Sequence, residues 1–255
     1  MTNSFKEFKE KALHEQEEVF AILFLSPITI RIAYLIKKWN LNITPNQITF
    51  SRLYLFSPLI ILCLFLAPIL QDKIFYLLAI IFSYFFLLSD WLDGQLARGT
   101  NKVSKGGTFL DSVADRLSSI IFLTLLFSIG MWFDNPILVY GSICLFVLKT
   151  FHMMIITKVF YYKRNPDLHS LFTGQEARKV LGVARLESFL RKTNSFLNIK
   201  RWGCSVGGSE RYFLSIIFPL ILIILNLNAV VIVFSYILLI VFGISFIIRI
   251  KNLLD

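Results

Sequence analysis

The sequence predicts an all-α integral membrane protein, with six transmembrane helices preceded by an N-terminal amphipathic juxtamembrane helix, and three observations carry that expectation. Hydrophobic residues fill 56% of the 255 positions, 26 of them Phe, and only 16% are charged. The mean hydropathy is +0.69. A soluble fold of this length cannot bury so much apolar surface, so lipid must be its main solvent. Six apolar stretches long enough to cross a bilayer recur along the chain, at about 47–70, 74–97, 107–132, 136–160, 212–227 and 229–250. The basic residues, finally, gather in the loops between these stretches rather than inside them.

Taken in order, Asn3 to Glu18 has a helix-forming, strongly charged composition. Its alternating Lys and Glu leave no apolar core for a cleavable signal peptide. Val19 to Trp39 is apolar but interrupted by Pro27, Arg31, Lys37 and Lys38, which fits a helix lying in the interface better than a full span. Asn40 to Asn46, with Pro45, reads as a turn. The fifth stretch is short, and only Asn226 and Asn228 mark its boundary with the sixth. No Pro/Gly/Ser-rich linker or internal repeat divides the chain. Two regions result: an interfacial N-terminal region over 1–46, and a six-helix membrane domain over 47–255 with a long cytoplasmic loop at 163–208. Within that loop, Gln175 to Phe196 reads as a basic amphipathic helix lying on the membrane or covering the site.

The net charge of +10 raises nucleic acid as a partner. The placement of the charge argues against it. Arg98, Lys102 and Lys105 follow the second stretch and nine Lys and Arg from Lys163 to Arg201 follow the fourth, whereas the opposite turns offer only Lys73. By the positive-inside rule both termini are cytoplasmic, and any nucleotide chemistry at the basic ends faces the cytosol. Cys63, Cys144 and Cys204 are scattered and indicate neither a disulfide framework nor a zinc site.

Ionisable residues in apolar helices are costly and are retained mainly for a task. Asp90 and Asp93 lie near the end of the second stretch, and Asp111 and Asp115 near the start of the third. Spacings of three and four put each pair on one helical face, and the short connecting loop makes the two helices antiparallel neighbours whose carboxylates can converge. A single aspartate at a helix end is as easily a solvated interface group, and Asp115 with Arg116 can be an ordinary surface pair. Four converging carboxylates instead call for a cation, and hard oxygen ligands suit Mg²⁺ or Mn²⁺, completed by substrate phosphates and water. Gly94, Gly106 and Gly107 allow close approach to the backbone, and Arg98 supplies a charge suited to phosphate.

Asp90, Asp93-Gly94, Ala97-Arg98, Gly107, Asp111 and Asp115, at these spacings, resemble without gap or substitution the signature of the CDP-alcohol phosphotransferase family. Thr44-Pro45-Asn46-Gln47-Ile48-Thr49-Phe50-Ser51-Arg52 is similar to the segment that leads into that family's first span, beside its nucleotide site. The resemblance implies that Asp90, Asp93 and Asp111 hold divalent metal with Asp115 close by. It implies that Gly94, Ala97, Arg98 and Gly107, together with Asn46, Thr49, Arg52 and Asp90, line the cytidine diphosphate pocket. It also implies that Asp115 is the general base for the acceptor hydroxyl and that the protein is a homodimer. The reaction would be attack of that hydroxyl on the β-phosphorus of a CDP-linked donor, with CMP leaving.

For the acceptor, Lys149 and His152 lie one turn apart in the fourth stretch. Lys149 is too deep to snorkel easily, whereas Lys158 is placed to do so. Arg211, after Ser209-Glu210, is a second candidate, although that motif is equally a helix cap followed by interface charges. The leading expectation is a phosphatidyltransferase using CDP-diacylglycerol and a small polar acceptor such as glycerol 3-phosphate, inositol phosphate or serine. A second expectation reverses the cargo, a polar CDP-alcohol donating to a lipid or polyol phosphate. A cation transporter is the alternative of another class, and a transporter has no use for a nucleotide pocket.

Overall fold

The computed structural model describes residues 2–13, 21–102, 105–163 and 212–254, and within some helices the backbone alone. The described residues are helical, with no strand among them. The helices are α1 (Thr2–Ala12), α2 (Ser26–Lys38), α3 (Pro45–Leu70), α4 (Ile74–Gly99), α5 (Lys105–Trp132), α6 (Pro136–Lys163), α7 (Phe213–Ile224) and α8 (Asn228–Leu254). Helices thus occupy all six positions expected from hydropathy. Among the described residues α3 and α4 are both long and apolar enough to cross a membrane, and shorter apolar segments lie in α5, α6, α7 and α8.

Local chemistry sets the helix ends. The turn expected over Asn40 to Asn46 closes earlier, because Thr44 and Gln47 form a capping box and Pro45 occupies the first turn of α3. Gln71, Asn101, Asp134 and Asn226 adopt left-handed backbone at the turns that end α3, α4, α5 and α7. Asn226 thereby separates α7 from α8 at the boundary read from the sequence. Among the described residues a widened π turn leads into α2 at Ala21–Leu25, another lies within α3 at Arg52–Phe56, and a third opens α7 at Phe213–Ile217. Each is followed two residues later by a proline, Pro27, Pro58 and Pro219. Proline has no N–H to give the carbonyl four residues back, which lies inside each π turn, and the hydrogen-bond ladder shifts there by one residue. In α3 the Arg52 carbonyl accepts both the Ser57 backbone N–H, five residues on, and the Ser57 hydroxyl at 2.8 Å.

Helix α4 is central, packing on α1, α2, α3 and α7, while α5 packs on α3, α6 and α8. The main core joins Ile60, Leu64, Tyr76, Phe86, Leu125, Leu126 and Leu220. A second, smaller core of Phe8, Ala12, Ala33, Ile36, Ile48 and Leu96 lies where α1 and α2 cover the C-terminal end of α4. The buried face of α2 follows a helical period through Ser26, Thr29, Ile30, Ala33 and Ile36, while Ile28, Ile32 and Leu35 remain exposed. The aspartates lie on the facing ends of the helices that flank the α4–α5 connection, Asp90 and Asp93 in α4 and Asp111 and Asp115 in α5.

Candidate active site

Asp90 and Asp93 lie one turn apart on α4, and Asp111 lies in the second turn of α5. Carboxylate oxygens of the three lie within 4.8 Å of one another. Helix α3 supplies the groups that hold them. The Arg52 guanidinium forms a fork, one terminal nitrogen on Asp90 and the other donating to Asp111 Oδ1 at 2.6 Å. One turn earlier, the Thr49 hydroxyl donates to Asp93 Oδ2 at 2.6 Å. Three helices are therefore tied at one point by side chains that are 44 and 59 residues apart in sequence.

Burial makes these contacts consequential. Arg52 is 0% exposed and Asp93 is 7% exposed, whereas the side chains of Asp90 and Asp111 keep 31% and 48% of their exposure. The arginine rests 5.5 Å from the Phe86 ring, which stacks on Tyr212 at 5.1 Å, so the cation has an aromatic floor. Counted as ionised, three carboxylates and one guanidinium leave a charge of −3 + 1 = −2. That is the charge one divalent cation neutralises, and the donor set is all oxygen, so the residues fit Mg²⁺ or Mn²⁺. Asp90 and Asp111 face outward and can share a ligand with solvent or substrate, while Asp93 is anchored beneath them.

Gly94 has Arg98 one turn above it. A Cβ on Gly94 would stand 3.1 Å from an Arg98 terminal nitrogen, so the missing side chain leaves the guanidinium room to lie along the helix. Asn46 and Gly107 are half-buried in the first turns of α3 and α5, and Ala97 is half-buried on α4. Lys149 on α6 lies 5.1 Å from the Phe242 ring of α8. Asp115 and His152 fall in α5 and α6, but their side chains lie outside the described residues, as do Arg211 and the amphipathic helix expected at Gln175 to Phe196. The contacts thus join Thr49, Arg52, Asp90, Asp93 and Asp111 in one cluster, and Gly94 with Arg98 in a neighbouring one. Phe86 and Tyr212 were not legible as site residues, since nothing distinguishes them among so many aromatic residues in apolar stretches.

The family described as CDP-alcohol phosphatidyltransferase matches over residues 42–241, most of the chain. A protein of Pyrococcus horikoshii named archaetidylinositol phosphate synthase is 43% identical over 109 residues, which cover 40% of this chain and 52% of that protein. The chain therefore matches about half the length of that relative. No solved structure gives a significant match.

Proposed function

The chain belongs to the CDP-alcohol phosphatidyltransferase family, and from that premise we propose that it is a metal-dependent, multi-pass membrane transferase moving a phosphatidyl-type group from a CDP-linked lipid to a hydroxyl of a phosphorylated polyol, with release of CMP. The observation that carries this reading is the triad of Asp90, Asp93 and Asp111, held by Arg52 and Thr49 at the spacing of the family signature. Chemistry at the α4–α5 connection would take place on the cytoplasmic side, by the distribution of basic residues.

In this reading Asp90, Asp93 and Asp111 hold one or two Mg²⁺ or Mn²⁺ ions, which when bound neutralise the donor's pyrophosphate charge. Arg52 keeps two of the carboxylates aimed together without adding another ligand. Thr49 holds Asp93 in one rotamer by its hydrogen bond. Arg98, and Gly94 by making room for it, serve the diphosphate of the donor, with Ala97, Gly107 and Asn46 lining the nucleotide. Asp115, one turn beyond Asp111, accepts the acceptor's hydroxyl proton. That oxygen attacks the β-phosphorus, and the bond to the CMP oxygen breaks. An aspartate is a weak base for an alcohol, so lowering charge at the phosphorus matters more than basicity.

The acceptor reading has two supports: the relative named for archaetidylinositol phosphate synthesis, and Lys149, a half-buried cation in α6 whose charge suits a phosphate. Both favour an inositol phosphate over serine, with Lys149, His152 and Arg211 as its cations. The donor would be CDP-diacylglycerol or its ether analogue. CMP release from purified protein, measured for each donor with inositol phosphate, glycerol 3-phosphate and serine, tests the assignment. Turnover confined to serine would overturn the phosphorylated acceptor, and no CMP from any pair would overturn the transferase reading.

A further inference from the structure

The N-terminal helix α1 lies before the region that the family match covers, yet it meets the signature directly. Its residues Phe5, Phe8 and Ala12 fall on one face, while Lys6, Glu7, Lys9, Glu10 and Lys11 are exposed. Phe8 is 1% exposed and Ala12 is 0% exposed. The two aromatic rings pack on Tyr34 of α2, at 5.0 Å for Phe5 and 5.8 Å for Phe8. Phe8 also lies against Gly99 at the end of α4, where a side-chain carbon built on the glycine would overlap its ring. Lys37 of α2 closes the same junction, donating to the Gly99 carbonyl at 3.4 Å with its ammonium 5.1 Å from the Phe8 ring.

This docking brings the last turn of α1 to Arg98. The Arg98 Nε donates to the Ala12 carbonyl at 2.9 Å. Carbonyls in a final helical turn lack partners within their own helix and carry the negative end of its dipole, so a guanidinium suits this one on both counts. With Nε held there and a terminal nitrogen lying over Gly94, the plane of the guanidinium is set by α1 on one side and by α4 on the other.

We propose that α1 is a positioning element for Arg98: Phe8 seated on Gly99 presents the Ala12 carbonyl to Nε, and this orients the guanidinium toward the diphosphate of a cytidine nucleotide. The inference rests on the reading that Arg98 serves a CDP-linked donor. Phe8 touches no substrate and acts only through Arg98. Its loss should weaken nucleotide binding as loss of the Arg98 orientation does, and leave metal binding by the aspartate triad unchanged.

The test is a double-mutant cycle on the full-length protein in detergent, read as the dissociation constant of CDP in the presence of Mg²⁺ and, separately, as Mn²⁺ binding in the absence of nucleotide. Phe8→Ala should weaken CDP binding about tenfold. Arg98→Ala should weaken it at least as much, and the double variant no further than Arg98→Ala alone. Mn²⁺ affinity should be unchanged in all three. Phe8→Leu, which keeps apolar bulk on Gly99, should weaken CDP binding less than Phe8→Ala and keeps the test open if the alanine variant does not fold. Effects of Phe8→Ala and Arg98→Ala that simply add, or CDP affinity unchanged in Phe8→Ala and Phe8→Leu, would overturn the proposal. Wild-type protein that binds CDP but transfers no phosphatidyl group would remove the function proposed above while leaving the cycle readable. Wild-type protein that binds no CDP would remove both.

Discussion

Helices α3, α4 and α5 are pinned to one another by polar side chains at both ends, and the two pins are built differently. At the end away from the aspartates the Ser128 hydroxyl donates to the Leu64 carbonyl at 2.5 Å and so can only accept from the Tyr76 hydroxyl, 3.0 Å away. Tyr76 and Ser128 are both 0% exposed, and no ionised group takes part. At the other end the same three helices are joined by Arg52, Asp90, Asp93, Asp111 and Thr49. A neutral pin suffices to hold three apolar helices together. The charged one brings three carboxylates within 4.8 Å and balances only one of them with a guanidinium. Such a cluster is a poor way to gain stability, because each buried charge must be desolvated and the like charges oppose each other. The difference between the pins therefore separates what holds the fold from what does the chemistry.

Breaking the charged pin should give the largest effect on activity and the smallest on folding. Asp111→Asn removes a ligand charge and one arm of the Arg52 fork, and should lower CMP release by about a hundredfold or more, roughly 3 kcal/mol of barrier. The thermal midpoint without metal should stay within a few degrees of wild type, while the upward shift that Mn²⁺ gives the wild type should vanish. Melting curves with and without Mn²⁺, set beside turnover, check both halves. A variant that lost stability and kept its activity would make the triad a structural device.

A smaller loss is expected at Arg52, where the geometry of the fork rather than its charge is at stake. Lysine keeps the charge but cannot reach Asp90 and Asp111 in parallel, and Arg52→Lys should reduce turnover about tenfold with weaker Mn²⁺ binding. If Arg52 instead contacts only nucleotide, CDP affinity would fall and Mn²⁺ affinity would not, and titration of each ligand separates the two.

The neutral pin should respond in the opposite sense. Ser128→Ala leaves the Leu64 carbonyl and the Tyr76 hydroxyl without that partner and should cost about 1 kcal/mol of stability, with turnover at saturating donor unchanged. Loss of turnover without loss of stability would show that the two ends are coupled through α4 and α5.

Much of this division was legible in the sequence, and what was not has a physical reason. The aspartates stand out because a carboxylate in an apolar helix is too costly to keep without a task, and the spacings of Asp90 with Asp93 and Asp111 with Asp115 place each pair on one face without reference to any partner. The helix positions follow from hydropathy, and even the break at Asn226 was visible as polar residues in an apolar run. The π turns could have been found from Pro27, Pro58 and Pro219, but a proline alone does not say whether a helix bends, breaks or widens. The Arg52 fork was beyond local reading, since its partners lie on two other helices and only packing brings them together. For the same reason nothing in the charged N-terminal stretch singled out Phe8, which packs against Gly99 at the end of α4.

The most direct test of the account is CMP release from CDP-diacylglycerol and inositol phosphate by the purified protein, stripped of metal and then titrated with Mg²⁺ or Mn²⁺. The account predicts no turnover in excess chelator, recovery on adding either ion, and equal amounts of CMP and phosphorylated lipid product. Turnover that continued undiminished in chelator would contradict it, because the charge gathered at Asp90, Asp93 and Asp111 would then have no chemical task.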